Sequence, residues 1–244
     1  MQIIRSLWGD GIGTNPVITR RSKINDDILQ TISIPHSFIT YCFGTTNYDQ
    51  ATKNGLDCVK MCDDPYMFDG IKETYRHKLE AIRTAIIQYK CDILYLDWDC
   101  IPNLRHEASK RSYVILERFN PKGCLSANLM MYNKPKCYWR SEAWRTIPNG
   151  GFLFVRDLET INGIIEEWEG IRNGGFECNN DEVAIAKYLD RIHDGWMGND
   201  KYKELYEPNV CSLNRKGIWL NPNAELIHYL GNYWYMPRHI PMIL

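Results

Sequence analysis

One apolar pattern in the first half of the sequence constrains the fold more than any other feature. Between residues 71 and 89 the apolar side chains recur at the spacing of a helix, and the opposite positions are polar. The apolar segment 91–97 follows at once and predicts a strand that is buried on both faces. A long helix that runs directly into a buried strand is typical of a parallel sheet covered by helices.

The rest of the first half continues this alternation. We predict strands over residues 2–7, 36–43 and 56–61, and helices over residues 25–31 and 47–53. Asn54 and Gly55 form a C-cap signal for the second of these helices. The resulting order, β-α-β-α-β-α-β, predicts an α/β fold whose ligands bind at the carboxyl ends of the strands.

The second half is predicted to complete the same domain. Strands are expected at residues 114–117, 129–132, 151–156 and 224–228, and helices at 158–168 and 181–189. There is no internal repeat and no flexible linker, and the hydrophobic content of 44% is enough for a sizeable core. The prediction is therefore a single domain over residues 1–244.

Charge and cysteine content narrow the class of protein. The 29 Lys and Arg residues nearly balance the 30 Asp and Glu residues, which argues against holding nucleic acid by bulk charge alone. The 9 Cys residues form no CxxC pair and are expected to be reduced thiols. No apolar run has the length of a signal peptide or a membrane span, so we expect a cytoplasmic protein.

Two carboxylates, Asp97 and Asp99, stand at the carboxyl end of the predicted strand at 91–97. In an extended segment, side chains two residues apart point to the same side. Like charges at that spacing repel unless a cation lies beside them, and oxygen ligands suit Mg²⁺ or Mn²⁺, which also bind phosphate oxygens. The pattern predicts a metal site for a phosphorylated ligand, and the alternative is a pair of solvated acids in a turn.

The segment Tyr95-Leu-Asp97-Trp98-Asp99 resembles the D-x-D signature of GT-A-type glycosyltransferases. As an order of elements, the resemblance extends over most of the chain. It implies a single GT-A-type, Rossmann-like domain, in which residues 1–100 bind a nucleotide-sugar and residues 101–244 bind the acceptor. It also implies that Asp97 and Trp98 contact the donor, and that Asp97 and Asp99 bind a divalent metal.

Two further blocks are similar to glycogenin-like retaining members of that family. Asn149-Gly150-Gly151 precedes a predicted strand, where small residues allow a sugar to approach the backbone. Asp181-Glu182 begins a predicted helix, where an acid would face the sugar or the acceptor. The resemblance thus implies donor contacts at the first block and catalytic roles at the second. The plain alternatives are a tight turn and a helix-start acid that interacts favourably with the helix dipole.

A fourth block, His228-Tyr-Leu-Gly231, resembles the His-x-x-Gly element near the C-terminus of glycogenin-like enzymes. It implies that His228 joins Asp97 and Asp99 as a ligand of Mn²⁺ or Mg²⁺. The Lys-Pro-Trp that follows in the family is replaced here by Asn232-Tyr-Trp, which removes the lysine that contacts phosphate there.

Basic and aromatic residues complete the predicted donor site. Lys78, a candidate catalytic residue, and Arg76, a candidate donor contact, lie on the helix before the D-x-D strand and could present cations to a diphosphate. Arg5 and Trp8 lie near the end of the first strand, where related enzymes hold the nucleobase. Their alternatives are a solvated helix face and ordinary packing.

The sequence as a whole predicts a metal-dependent glycosyltransferase, a hexosyl- or pentosyltransferase that uses a nucleoside-diphosphate sugar. Its motif order favours the retaining class. The acceptor classes left open are a saccharide, a protein, and a hydroxylated base in phage or viral DNA. The alternatives are a sugar-phosphate nucleotidyltransferase, whose usual basic residues are absent from the loop Gly9-Asp-Gly-Ile-Gly, and a non-catalytic nucleotide-sugar-binding module.

Overall fold

The fold is described from a computed structural model. The described residues are 2–7, 37–53, 55–56, 59–62, 76–97, 100–102, 129–134, 147–173, 181–192, 202–205, 210–212 and 226–228. The predicted helix at 25–31 and the predicted strand at 114–117 lie outside these ranges.

Ten strands and four helices are present in the described residues. The strands are β1 (Gln2–Leu7), β2 (Ser37–Phe43), β3 (Val59–Cys62), β4 (Ile93–Leu96), β5 (Cys100–Pro102), β6 (Leu129–Lys134), β7 (Ile147–Val155), β8 (Tyr202–Leu205), β9 (Val210–Ser212) and β10 (Leu226–His228). The helices are α1 (Thr45–Lys53), α2 (Arg76–Tyr89), α3 (Leu158–Asn173) and α4 (Asp181–Ile192).

Seven strands form one mixed sheet in the order β3-β2-β1-β4-β7-β6-β8. The first four are mutually parallel, whereas β7 runs antiparallel to both β4 and β6. Since β8 is parallel to β6, β7 is the only reversed strand of the seven. The prediction of a mostly parallel sheet flanked by helices is therefore confirmed. A second sheet consists of β5, β10 and β9.

Most predicted elements within the described residues are present, with shifted ends. The strand expected at 56–61 is shorter and displaced, since β3 covers Val59–Cys62. The helix expected at 47–53 begins two residues earlier, at Thr45, and ends in the predicted cap. Gly55 has a φ of 72°, and the amides of Gly55 and Leu56 donate to the carbonyls of Thr52 and Ala51, the hydrogen-bond pattern of a Schellman motif.

The main core lies on the sheet face covered by α2, α3 and α4. Strand residues that alternate in sequence, such as Ile93 and Tyr95, pack there against helix residues such as Ile82, Trp168 and Ile185. A smaller cluster on the other face joins β1 and β2 to α1 and consists of Leu7, Cys42, Ala51 and Leu56. Helices thus cover both faces of the sheet at these strands, as the sequence pattern requires.

The elements that converge at the carboxyl end of β4 come from both halves of the chain. β1 is the parallel neighbour of β4 on one side, and β7 is its antiparallel neighbour on the other. The carboxyl end of β4 therefore lies beside the first residues of the paired part of β7, where Leu96 pairs with Phe152. Among the described residues, none of the helices is both long and apolar enough to span a membrane.

Candidate functional site

A buried lysine on α2 lies at the centre of the candidate site. The Nζ atom of Lys78 is 2.9 Å from Oδ2 of Asp181 and 3.3 Å from Oδ2 of Asp97. It also donates a hydrogen bond of 2.8 Å to the carbonyl oxygen of Gly150. Both Lys78 and Asp181 have only 2% of their side-chain surface exposed, whereas Asp97 has 19%. One cation thus connects three segments that are far apart in the sequence.

Among the described residues, the ammonium of Lys78 contacts two carboxylates. Burial lowers the pKa of Lys78, but the opposite charges of Asp181 and Asp97 outweigh it, so the pKa of Lys78 is raised well above its usual value. The ammonium is therefore charged at neutral pH. Glu182, which is 6% exposed and adjacent to Asp181, adds a buried carboxylate at the start of α4, where its Oε1 accepts the Gly150 amide.

Gly150 connects β7 to the acidic end of α4. Its amide donates a hydrogen bond of 3.1 Å to Oε1 of Glu182, and its carbonyl accepts from Lys78. A Cβ atom at this position would lie 2.0 Å from Oδ2 of Asp181, so any side chain here would force the Asp181 carboxylate to move. The space that glycine leaves is therefore filled by the carboxylate of Asp181 rather than left open on this side of the backbone.

Asp97 is held on its other side by a tyrosine. The hydroxyl of Tyr95 donates to Oδ1 of Asp97 at 3.0 Å and lies 2.9 Å from the hydroxyl of Ser6 on β1. Burial, and then the charge of Asp97, raise the pKa of Tyr95 well above its usual value, so its proton stays in place. The backbone amide of Asp97 donates to the carbonyl of Gly151 at 2.9 Å, which extends the pairing of β4 with β7.

Arg76 does not join this cluster. Its guanidinium donates to the carbonyl of Ile165, forms ion pairs with Glu80 at 2.8 Å and Glu169 at 3.4 Å, and lies over the ring of Trp168. Residues two apart on a helix point about 200° apart, so Arg76 and Lys78 cannot share a face. The structure thus places Arg76 at the contact between α2 and α3, away from the Lys78 cluster.

Arg5 is buried in the sheet rather than presented at its edge. Its residue surface is 1% exposed, its Nε donates to the hydroxyl of Thr40 at 2.9 Å, and its guanidinium lies over the ring of Phe38. Since adjacent strand residues point to opposite faces, Arg5 lies on the face opposite Ser6 and therefore opposite the Lys78 cluster. These contacts hold Arg5 within the sheet, whereas the predicted contact with a nucleobase requires its guanidinium at the edge of the sheet.

The other predicted residues lie partly or wholly outside the described part of the chain. Trp8, Trp98 and Asp99 are outside it, and the side chains of Asn149 and His228 are not described. The backbone of His228 is informative, because it pairs with Cys100, the residue after Asp99, in the antiparallel ladder of β10 and β5. Residues paired in this way have Cα atoms about 4.5–5.5 Å apart. The fold thus brings His228 next to the D-x-D segment.

Two polar residues of the cluster, Tyr95 and Ser6, are not predicted from the sequence. Tyr95 could have been found, because it precedes Asp97 by two residues on a strand and must share its face. Ser6 offers no such signal, since its position beside Tyr95 depends on the pairing of β1 with β4.

Comparisons with known proteins give structural matches only. No protein-family model matches the chain, and no curated protein matches it in sequence. The structure is similar to a glycosyltransferase involved in the glycosylation of the major capsid of PBCV-1, with a TM-score of 0.59 and 13% identity over 99% of this chain and 98% of that chain.

Two further solved structures have the same fold. Mouse xyloside xylosyltransferase 1 has a TM-score of 0.59 and 10% identity, over 95% of this chain and 98% of that chain. The galactosyltransferase LgtC, in complex with donor and acceptor sugar analogues, has a TM-score of 0.52 and 12% identity, over 100% of this chain and 95% of that chain. These likenesses extend over nearly the whole of each chain, and they show that this chain has the GT-A fold of glycosyltransferases.

Proposed function

We propose that this chain is a glycosyltransferase that moves a sugar from a nucleoside-diphosphate sugar to an acceptor. The observation that carries the proposal is the buried cluster of Lys78, Asp97 and Asp181 at the carboxyl end of β4. Ligands of open α/β sheets bind at that end of the strands. The similarity to solved glycosyltransferases supports the same assignment through the fold.

The donor site is proposed to contain a divalent metal ion, Mn²⁺ or Mg²⁺. Asp97, Asp99 and His228 are the proposed ligands, and carboxylate oxygens with one imidazole suit such an ion. The residues that the structure describes include no group of three possible His, Cys, Asp or Glu ligands, and Asp97 is the one proposed ligand whose side chain is among them. A bound ion would neutralise charge on the diphosphate leaving group.

The described residues fit such an ion. Asp97 accepts from Tyr95 on one oxygen and from Lys78 on the other, and its carboxylate oxygens are of the kind that Mn²⁺ and Mg²⁺ bind. The pairing of His228 with Cys100 supports the third ligand, because it brings that residue to the D-x-D segment.

We further propose that transfer proceeds with retention of anomeric configuration. An inverting enzyme needs a general base placed to take the acceptor proton, and in this chain Asp181 or Glu182 would be that base. Here Oδ2 of Asp181 is 2.9 Å from the buried Lys78 ammonium, and Oε1 of Glu182 accepts the Gly150 amide. These contacts favour a positioning role for both acids, with Asp181 and Lys78 orienting the donor sugar. The leaving phosphate would then take the acceptor proton.

The test is a thermal-shift panel of nucleoside diphosphates and their sugars, with and without Mn²⁺. A ligand that binds only the folded state raises the melting temperature, with a stabilisation of about 2.7 kcal/mol at a hundred times its Kd. We expect stabilisation by one nucleoside diphosphate that requires the metal. Stabilisation by a nucleoside triphosphate instead would favour the nucleotidyltransferase, and no response to any of these ligands would contradict the proposal.

A pair of variants on β4 and its flanks controls for simple loss of stability. Asp97→Asn should abolish the metal-dependent shift. Asp92→Asn removes a carboxylate of similar burial at the other end of the same strand, where Asp92 pairs with Arg156 at 3.4 Å, and it should retain the shift. Equal responses of the two variants would argue against Asp97 as a donor-site residue.

A further inference from the structure

Three polar groups form a hydrogen-bonded chain that leads from β1 to the proposed donor site. The hydroxyl of Ser6 lies 2.9 Å from that of Tyr95, which lies 3.0 Å from Oδ1 of Asp97. An ionised carboxylate only accepts, so the single proton of Tyr95 points to Asp97. The hydroxyl of Ser6 must then donate to Tyr95. The direction of the chain is thereby fixed as Ser6 to Tyr95 to Asp97.

We propose that Tyr95 is a positioning residue that orients the Asp97 carboxylate for binding the metal and the donor diphosphate. This inference rests on the proposed glycosyltransferase function. Tyr95 holds Oδ1 of Asp97, while Lys78 contacts Oδ2. With both oxygens engaged, the plane of the carboxylate is set before any ligand arrives, and pre-set geometry is what a binding site of this kind requires.

The position of Tyr95 makes its hydroxyl part of this arrangement rather than a surface group. Tyr95 is fully buried, in a strand whose neighbours β1 and β7 lie on either side. A buried hydroxyl without a partner is costly, so a tyrosine at this position needs the two oxygens that it contacts. Its ring also lies 5.2 Å from Nζ of Lys78, which a phenylalanine would preserve.

The test compares Tyr95→Phe with Tyr41→Phe. Tyr41 is also fully buried, on β2, and its ring contacts Lys60 instead of the acidic cluster. Affinity is measured by calorimetry for Mn²⁺ in the presence of uridine or guanosine diphosphate. We expect Tyr95→Phe to weaken binding about tenfold, which corresponds to about 1.4 kcal/mol and is close to the lower end of the range for a hydrogen bond to a charged group. Tyr41→Phe should change the affinity less than about twofold.

Each outcome decides between the two proposals. If the wild-type chain binds no nucleoside diphosphate of the thermal-shift panel with the metal, the proposed function fails and this inference fails with it. If the wild type binds and the two variants bind equally well, the inference alone is overturned. If circular dichroism shows that Tyr95→Phe is unfolded, Ser6→Ala takes its place, because it removes only the donor behind Tyr95. Ser6→Ala should weaken binding about threefold, and unchanged affinity would overturn the inference.

Discussion

At the scale of the single residue, Lys78 shows how burial changes what an ion pair contributes. Its ammonium is 2% exposed and contacts Asp181, which is equally buried. Arg83, on the same helix, pairs with Glu80 at 2.6 Å but is 37% exposed. Exposed pairs contribute about 0–1 kcal/mol, whereas removing one partner of a buried pair costs about 3–5 kcal/mol, because the other charge stays buried alone.

We therefore expect Lys78→Met to lower the free energy of unfolding by about 3 kcal/mol, below the full cost because Asp97 keeps some contact with solvent. Arg83→Met, the same exchange on the same helix, should cost less than about 1 kcal/mol. Urea unfolding followed by circular dichroism measures both values. Similar losses in the two variants would contradict the buried, doubly paired state of Lys78.

Cys42 gives a prediction for alkaline pH. Burial raises its pKa from 9.0 to about 12, and the nearby Arg5 only partly opposes this shift. A group whose pKa is higher in the folded state contributes stability below its unfolded pKa and loses it as the pH rises toward the folded pKa. Above about pH 9, the free energy of unfolding of the wild type should fall about 1.4 kcal/mol per pH unit more steeply than that of Cys42→Ala. Parallel curves in pH-dependent urea unfolding would show that the thiol does not titrate in this way.

The sequence predicts which residues carry charge at the site better than it predicts their partners. Asp97 and Lys78 are predicted from their place at a strand end and on the preceding helix, and Asp181 from the family resemblance, and the structure brings all three within one cluster. Arg76 is equally basic and lies on the same helix, yet it faces α3. The direction of a helical side chain depends on which face of the helix packs on the sheet. In α2 that face is set by the apolar spacing that contains Leu79 and Ile82.

At the scale of the element, local patterns identify the strands and helices, but the order of strands depends on distant pairs. The apolar run that forms β7 is visible in the sequence, and so is β4. Nothing in either segment states that they pair antiparallel, with Ile93 opposite Val155. That pairing places Gly150 and Gly151 beside Asp97, so the geometry of the site follows from an interaction between residues more than fifty positions apart.

The contact of α3 with α4 depends on a glycine. A Cβ at Gly163 would lie 2.3 Å from the ring of Tyr188, whereas a Cβ at Gly170, on the same helix, meets nothing within 4 Å. Gly163→Ala should destabilise the fold by about 1–3 kcal/mol, because the ring must move in a packed core. Gly170→Ala should stabilise it by about 0.5–1 kcal/mol through helix propensity. A melting temperature that shifts in the same direction in both variants would contradict this packing.

At the scale of the whole molecule, the sheet joins the two halves that the family resemblance assigns to donor and acceptor. β4 belongs to residues 1–100 and β7 to residues 101–244, yet they are neighbours in the same sheet. The main core combines side chains from β1, β2, β4 and α2 with those of α3, α4 and β7. The proposed site likewise combines residues of both halves, since Lys78 and Asp97 come from one half and Asp181 from the other.

This shared core predicts that neither half folds alone. A fragment of residues 1–100 leaves β4 without its partner β7 and exposes the face that α3 and α4 cover, so apolar burial no longer offsets the entropy of ordering the chain. We expect the full chain to give one calorimetric transition and the fragment to give none. Near-ultraviolet circular dichroism should likewise lack signal in the fragment and recover when residues 101–244 are co-expressed. A cooperative transition in the isolated fragment would show instead that residues 1–100 form an independent domain. In that case the donor site would have to be complete without Asp181.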